Sequence, residues 1–420
     1  MSKLRMLKWA KDLFPICRSI TGNGTRATLS YFKKINPEFK TIKFKTGQKV
    51  FDWEIPKEWN IKNAYIKHES GKKFAEFSKC NLHVLGYSKP INKVVSKNKL
   101  LNHLYTQKDQ PNSIPYVTSY YKERWGFCLS ENQKKKLPNG NYKVFIDSKL
   151  KKGNLELCHA ILKGKNKKEI FLSSYVCHPS MANNELSGPV LLNAIMQYIK
   201  LNYPKSKYTY RFVLAPETIG SIAYLSKFMK NMKSNIICGF NLTMVGDERS
   251  YSYTSSRRGN TLADNALKAA LIGLSNVKKY SFLERGSDER QYCAPGIDLP
   301  LCSFSRSKEY PEYHTNKDNF KVVTQKGLEG SFKILKTIID AFELGLYPRS
   351  AMFAEPNLSK RGLYPTLSQK GNYTESRLRM DLIAYSDGIR NIFEIAKLLN
   401  KPFDKLCKEY HMLKTKKILK

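Results

Sequence analysis

The sequence predicts an α/β fold: a mostly parallel sheet flanked by helices, with a small inserted β-rich domain and a C-terminal winged helix-turn-helix. Three observations carry this reading. Between residues 170 and 345, apolar β-type runs alternate with stretches of helical periodicity. Residues 41–120 carry short aromatic and β-branched runs broken by Pro, Gly and Asn. From residue 376 onward, two short amphipathic segments flank a tight turn.

Taken in order, residues 4–36 read as helical segments broken at Thr21-Gly22-Asn23-Gly24, with Leu7, Ala10, Leu13 and Phe14 at helical spacing. In the β-rich module, Val50-Phe51-Asp52-Trp53, Ala64-Tyr65-Ile66 and Leu82-His83-Val84-Leu85 are the strand-like stretches. Its histidines, His68, His83 and His103, lack metal-ligand spacing and read as ordinary surface or core residues. Tyr142–Ile146 and Leu155–Cys158 flank Lys152-Gly153-Asn154, a hairpin-style turn. The alternating region then predicts strands at 170–177, 208–215 and 235–245, and helices at 187–202, 220–233, 260–275 and 325–345. Residues 346–375, rich in Pro, Gly, Ser and Asn, read as a linker. In the tail, Ile392, Phe393, Ile395, Ala396 and Leu399 form one apolar face and Phe403, Leu406, Cys407 and Tyr410 the next, across Asn400-Lys401-Pro402. The resulting domains are 1–40 with 121–350, an insertion at 41–120, and 351–420.

Composition narrows the function classes. A chain of 420 residues that is 41% hydrophobic and 12% aromatic builds sizeable cores, which excludes wholesale disorder. No run approaches the ~18 apolar residues of a membrane span, and the charged start lacks the apolar region of a secretory signal. Nine cysteines, an odd number without CxxC pairs, predict free thiols and a cytoplasmic setting. The net charge of +38 comes from 57 Lys and 16 Arg spread through every region. Nucleic-acid surfaces concentrate charge and favour Arg, so this diffuse excess assigns no partner.

In a parallel α/β sheet, ligands sit beyond the carboxyl ends of the strands. The residues there are His178, after the first strand, and Glu217, after the second. Thr243 to Glu248 follow the third, and Tyr313-His314 with Asp318 come later, preceded by Ser287-Asp288-Glu289. Two His and several carboxylates, each at its own strand end, are the ligand types of a catalytic zinc site with a position left for water. Arg257 and Arg258, after the third strand, suit an anionic substrate group or a solvated turn. Cys177 and Cys293 have no ordered base beside them and read as buried inert thiols.

The order His178, Ala182-Asn183-Asn184-Glu185-Leu186-Ser187-Gly188, Glu217 with Gly220-Ser221, Asn241-Leu242-Thr243-Met244-Val245-Gly246 and Tyr313-His314-Thr315 resembles the M28-type zinc aminopeptidases. The likeness extends to a bacterial aminopeptidase-like family of DUF4910/DUF2172 type, often encoded near surface-polysaccharide genes. Phe14-Pro15-Ile16-Cys17-Arg18-Ser19-Ile20-Thr21-Gly22, Phe51-Asp52-Trp53, Trp125-Gly126-Phe127-Cys128 and Ser287–Tyr292 carry that likeness almost end to end. The resemblance implies a zinc-exopeptidase (phosphorylase/hydrolase-like) core, the inserted β domain and the winged helix. It implies His178, Glu217 and His314 as metal ligands with Asp247 as a replacement carboxylate. Glu217, Asp288 or Glu289 is then the proton shuttle, and Asn184, Tyr313, Arg257 and Arg258 touch substrate. Two positions depart from the pattern: Asn184 stands where an Asp bridges two zincs, and Thr243 where an Asp binds the second. An amide cannot bridge two cations, so one zinc per chain is expected.

The expected activity is zinc-dependent hydrolysis of an amide in a small peptide or an amino-sugar or amino-acid conjugate, linked to surface-polysaccharide biosynthesis. Two other readings stay open: a nucleic-acid-binding or regulatory protein working through the winged helix, and a binding-only relative that has lost turnover. Substrate and oligomeric state are not legible.

Overall fold

The computed structural model describes residues 5–365 and 374–420. Its centre is an eight-stranded sheet. The strands are β1 (Lys40–Lys45), β2 (Asn154–Leu162), β3 (Glu169–Tyr175), β4 (Thr209–Ala215), β5 (Ile236–Leu242), β6 (Tyr251–Thr254), β7 (Val277–Tyr280) and β8 (Leu301–Ser305). Their spatial order is β1-β2-β4-β3-β5-β8-β6-β7. The inner four, β4, β3, β5 and β8, are mutually parallel, with Leu172 opposite both Phe212 and Phe240. β3 and β4 are buried at every residue, because helices cover both faces. This is why Ile170–Leu172 and Phe212–Ala215 read as apolar runs rather than alternation, while the buried Arg211 pairs with Glu169 at 2.6 Å.

The helices that cover the sheet are α1 (Met6–Leu13), α2 (Asn23–Ile35), α3 (Ser187–Asn202), α4 (Ile219–Asn235), α5 (Leu262–Ala270) and α6 (Gln325–Leu344). One core unites α1, α3, α5 and α6 with one face of the sheet, and a second lies beneath α4. α3 approaches so closely that a Cβ on Gly188 would lie 2.2 Å from the Leu242 carbonyl oxygen. Only glycine fits there, and the contact seats the start of α3 on the ends of β3 and β5.

The inserted module is a four-stranded antiparallel sheet of residues 58–68, 73–74, 91–96 and 141–151 with its own core. Its bounds differ from the expected 41–120. β1 joins the large sheet, whereas the strand at 141–151 pairs along its length with 58–68, from Glu58–Lys151 to His68–Tyr142. Accordingly, Lys152-Gly153-Asn154 is not a hairpin turn, since the strands on either side belong to different sheets. Gly153 passes under Glu58, whose carboxylate would lie 2.4 Å from a Cβ.

The tail holds α7 (Thr374–Ala384), α8 (Ile392–Leu399) and α9 (Phe403–Thr415), with Asn400 left-handed at the turn. Phe393, Ile395, Phe403 and Leu406 join the main core, so the tail is packed against the helices that cover the large sheet. The expected linker is partly ordered: Leu346 and Leu358 are buried, and Ser350 bridges Leu419. Leu4, where the first helical segment was expected to begin, and residues 366–373 of the expected linker lie outside the described residues.

Candidate active site

Because β3, β4 and β5 run parallel, the residues that follow them emerge on one edge. His178 follows β3, and its Nδ1 lies 3.0 Å from Glu185 Oε2. The Nδ1–H donates to that carboxylate, which turns Nε2 toward Glu217. Glu185 in turn sits 3.4 Å from Arg18 Nε, and both side chains are fully buried. Arg18 also donates to the His178 carbonyl (2.9 Å) and to the Leu13 carbonyl (2.7 Å). Burial opposes charge on His178, but the Glu185 hydrogen bond and charge outweigh it and raise the pKa.

Glu217 follows β4. Its Oε1 accepts from Ser287 Oγ (2.8 Å), and its Oε2 lies 3.8 Å from His178 Nε2. Burial raises its pKa against the pull of His178. The next residue, Thr218, has φ +63°, a strained value for a β-branched side chain. That turn aims its N–H at Asp288 Oδ1 (2.8 Å), which also accepts from Ser221 Oγ (2.8 Å). Burial and the nearby Glu217 charge push the Asp288 carboxyl up to about 7. His314 is strained too, at φ +54°. Its ring stacks on Tyr313 at 3.8 Å and lies 5.3 Å from the His178 ring. Its Nε2 is buried with no hydrogen-bond partner. Burial and the neighbouring His178 push its pKa down to about 3, so the ring is neutral near pH 7.

Beside these groups lies an uncharged chain. Asn184 Nδ2 donates to the Tyr175 hydroxyl (2.9 Å), and that hydroxyl lies 2.6 Å from Thr243 Oγ1. Asn184 belongs to a five-residue π-helical turn, Ala182–Leu186. Asp318 caps this turn by accepting from the N–H groups of Asn183 (2.7 Å) and Asn184 (2.9 Å) and from the Tyr310 hydroxyl (2.7 Å).

His178, Glu217 and His314 line one cavity of about 350 Å³, and Tyr313 stands beside them. Asp247 is engaged elsewhere, accepting from Ser307 Oγ (2.6 Å), the Arg249 N–H (2.9 Å) and Asn183 Nδ2 (3.2 Å). Glu289 accepts from the N–H groups of Gly286 and Ser287 and from Ser303 Oγ, which fixes the loop carrying Ser287. Arg257 and Arg258 both pair with Asp298 and line a separate groove. Cys177 and Cys293 are buried, which raises both thiols, Cys293 to about 12. Sequence reasoning gave no role to Arg18, Glu185, Tyr175 or Thr218. Arg18 touches a residue 160 positions away, and no local signal announces such a contact. Arg18 does stand within the Phe14–Gly22 motif, which was the available clue.

Potential ligand atoms of Cys177, His178 and Glu185 lie within 4.8 Å of one another. That trio suits orientation better than metal binding, because burial raises the thiol and Glu185 Oε2 is engaged by His178 Nδ1 while Oε1 faces the Arg18 guanidinium. His178 Nε2, Glu217 Oε2 and the orphaned His314 Nε2 face one another across the cavity, and Asn184 Oδ1, Glu185 Oε1 and Asp288 Oδ2 are also buried without hydrogen-bond partners. Two imidazole nitrogens and a carboxylate oxygen are the donor types of a catalytic zinc, and the Glu185–His178 contact is the outer-shell partner such a ligand takes.

Residues 7–345 match the family described as a domain of unknown function, DUF4910, and residues 346–420 match winged helix-turn-helix. The chain belongs to the DUF4910 family. This DUF4910 chain is 40% identical over 394 residues, 92% of its length and 89% of the relative's, to a Clostridium acetobutylicum protein. That protein's name assigns it to polysaccharide biosynthesis and gives it an aminopeptidase-like domain. A crystal structure from C. acetobutylicum, named as a peptidase, superposes with a TM-score of 0.90 at 36% identity, covering 99% of this chain and 96% of that one. The zinc aminopeptidase of Bacillus subtilis matches with a TM-score of 0.57 at 12% identity, covering 80% and 94%, a likeness of fold alone. Among the described residues no helix is long and apolar enough to cross a membrane.

Proposed function

We propose that this DUF4910 protein is an amide hydrolase of aminopeptidase type, with His178, Glu217 and His314 as the ligands of a single zinc ion. The observation that carries the reading is the convergence of these three donors on one cavity, with the Nε2 of His314 buried and unpartnered. A zinc ion held by these residues would supply a Lewis acid that polarises a carbonyl and acidifies a water. With its Oε1 held by Ser287 and its Oε2 turned to the ion, Glu217 would serve as a ligand only, and the proton of the water would pass to Asp288, whose unpartnered Oδ2 and raised carboxyl suit a base. Through its Oδ1, Asp288 also fixes the strained Thr218 turn that aims Glu217. Asp247 and Glu289 are loop-holding carboxylates in this reading, and Arg257 and Arg258 stand apart from substrate.

The neutral chain Asn184–Tyr175–Thr243 supports one ion rather than two, because it brings no charge to a second. The substrate is an amide in a small peptide or an amino-sugar conjugate. The relative's polysaccharide-biosynthesis name supports the second form. All nine cysteines are free, which supports a reducing, cytoplasmic setting. The test is release of free amine from a library of aminoacyl amides and amino-sugar amides by the zinc-loaded chain. Asp288→Asn is expected to cut turnover by about 10²–10⁴-fold with zinc content unchanged. An unchanged rate in that variant contradicts the assignment.

A further inference from the structure

The segment Ser287–Tyr292 holds one charged residue that the proposed reaction does not use. Ser287 holds Glu217, Asp288 receives the proton, Glu289 fixes the loop, and Arg290 is left. Its Nε donates to the Ser287 carbonyl at 3.0 Å, and its Nη2 donates to Thr218 Oγ1 at 3.0 Å. The guanidinium is therefore tied to the two residues that set Glu217 in place, and Thr218 itself lines the cavity with the two histidines.

This cation has no counter-charge. Among the described residues no carboxylate pairs with Arg290, and its side chain is exposed. The acids around it are engaged elsewhere. Glu217 accepts from Ser287 and faces His178, Asp288 Oδ1 accepts from Thr218 and Ser221, and Glu289 accepts from Gly286 and Ser303. Other cations of the region differ: Arg249 pairs with Glu312, and Arg257 and Arg258 pair with Asp298. Lys308, on the neighbouring cavity, donates to the Glu284 carbonyl, lies over the Tyr280 ring and shares its rim with Glu309.

A guanidinium carries five N–H groups. Two of those on Arg290 are fixed to Ser287 and Thr218, which leaves two on Nη1 and one on Nη2. One N–H from each terminal nitrogen forms the fork that takes two oxygens of a single anion. The charge is felt in the site, since Arg290 pulls down both the Glu217 carboxyl and the Tyr313 phenol against the burial that raises them. Thr218 directly follows Glu217, and a chain spans about 3.3–3.6 Å per residue. An anion on Arg290 thus lies roughly one residue from a carbonyl held beside Glu217.

We propose that Arg290 is a specificity-determining residue that binds an oxyanionic group of the substrate, a carboxylate or a phosphate-type group, about one residue from the amide. The substrate is then an acidic amide, of which a dipeptide with a free terminal carboxylate is the simplest. The position of the amide rests on the hydrolase reading; the anion site does not.

Ligand-observed NMR on the full chain tests it, because it reports binding and any cleavage separately. The probes are alanylalanine, its terminal amide and its phosphonate isostere. Alanylalanine is expected to bind about tenfold more tightly than the amide. Arg290→Met should bring the two within twofold of each other and leave the affinity for the amide within twofold of wild type; should it fail to fold, Arg290→Gln takes its place. Arg285→Met removes a neighbouring charge that lies over Phe282, and it should keep the preference. That control separates Arg290 from the general charge of +38. Tighter binding of the phosphonate assigns the site to a phosphate-type group and tighter binding of alanylalanine to a carboxylate, and either supports the proposal. Equal affinity for alanylalanine and its amide, a preference that survives Arg290→Met, a preference lost equally in Arg285→Met, or no binding of either anion at millimolar concentration would overturn it. An Arg290-dependent preference with no amide ever cleaved keeps the anion site and removes the hydrolase reading.

Discussion

The two sides of the strand-end layer are built differently, although both hang from β3. On one side, Arg18, Glu185 and His178 form a buried charged relay that ends in an Nε2 turned toward Glu217. On the other, Asn184, Tyr175 and Thr243 form a chain of neutral groups of similar depth, joined by hydrogen bonds of 2.9 and 2.6 Å. The difference teaches where charge is tolerated. The charge of the buried pair serves a neighbour, here an imidazole held in one orientation, even though Arg18 Nη2 and Glu185 Oε1 are left without hydrogen-bond partners. A neutral hydrogen-bonded chain holds its shape without any ion.

The largest effect is expected on the charged side. Glu185→Gln keeps the shape but leaves Arg18 buried without a counter-charge. Removing one partner of a buried pair costs about 3–5 kcal/mol, so the urea midpoint should fall sharply. The same variant should weaken zinc binding by about 10–100-fold, because His178 loses its orienting carboxylate. A stability unchanged from wild type would mean that the relay is decorative.

Asp318 joins the two sides by capping the π-helical turn that carries Asn184, and it gives a pH signature. Burial raises its carboxyl from 3.8 to about 6. Between those values the folded chain binds more protons at this site than the unfolded chain, so its contribution to stability falls as pH rises from 3.8 to 6. Asp318→Asn should flatten that part of the profile. It should also cost about 1–3 kcal/mol at pH 7, since one of the backbone N–H groups loses its acceptor. Urea unfolding of the metal-free chain at a series of pH values measures both, and an unchanged slope would remove Asp318 as the titrating group.

The smallest effect is expected on the neutral side. Tyr175→Phe deletes the hydroxyl between Asn184 and Thr243 and should cost about 1–2 kcal/mol, with zinc content unchanged. A gain of zinc in this variant would mean that the hydroxyl alone had kept a second ion out.

The fold was legible where burial imposes a pattern. β3 and β4 carry the apolar runs Ile170–Leu172 and Phe212–Ala215, and α3 was expected at the span it occupies, Ser187–Asn202, because helix and strand periods alternate there. The turn at Lys152-Gly153-Asn154 misled, because a local turn signal says nothing about which sheet each flanking strand joins. Of the candidate site, His178, Glu217 and His314 were legible from their positions after strands and from the family resemblance. Arg18 and Glu185 were not legible as a relay. Their pairing depends on α1 and the segment after it folding back beneath β3, which no short-range spacing encodes. Asp247 had a ligand's chemistry and a strand-end position, yet its lone pairs go to Ser307, Arg249 and Asn183.

The most direct test of the comparison is the zinc content of the full chain, purified without chelator and supplied with zinc, by elemental analysis. The account predicts one zinc per chain, lost in His178→Ala and in His314→Ala. Two zincs per chain would contradict the neutral side as the place without an ion, and none would contradict the charged side as the place that holds one.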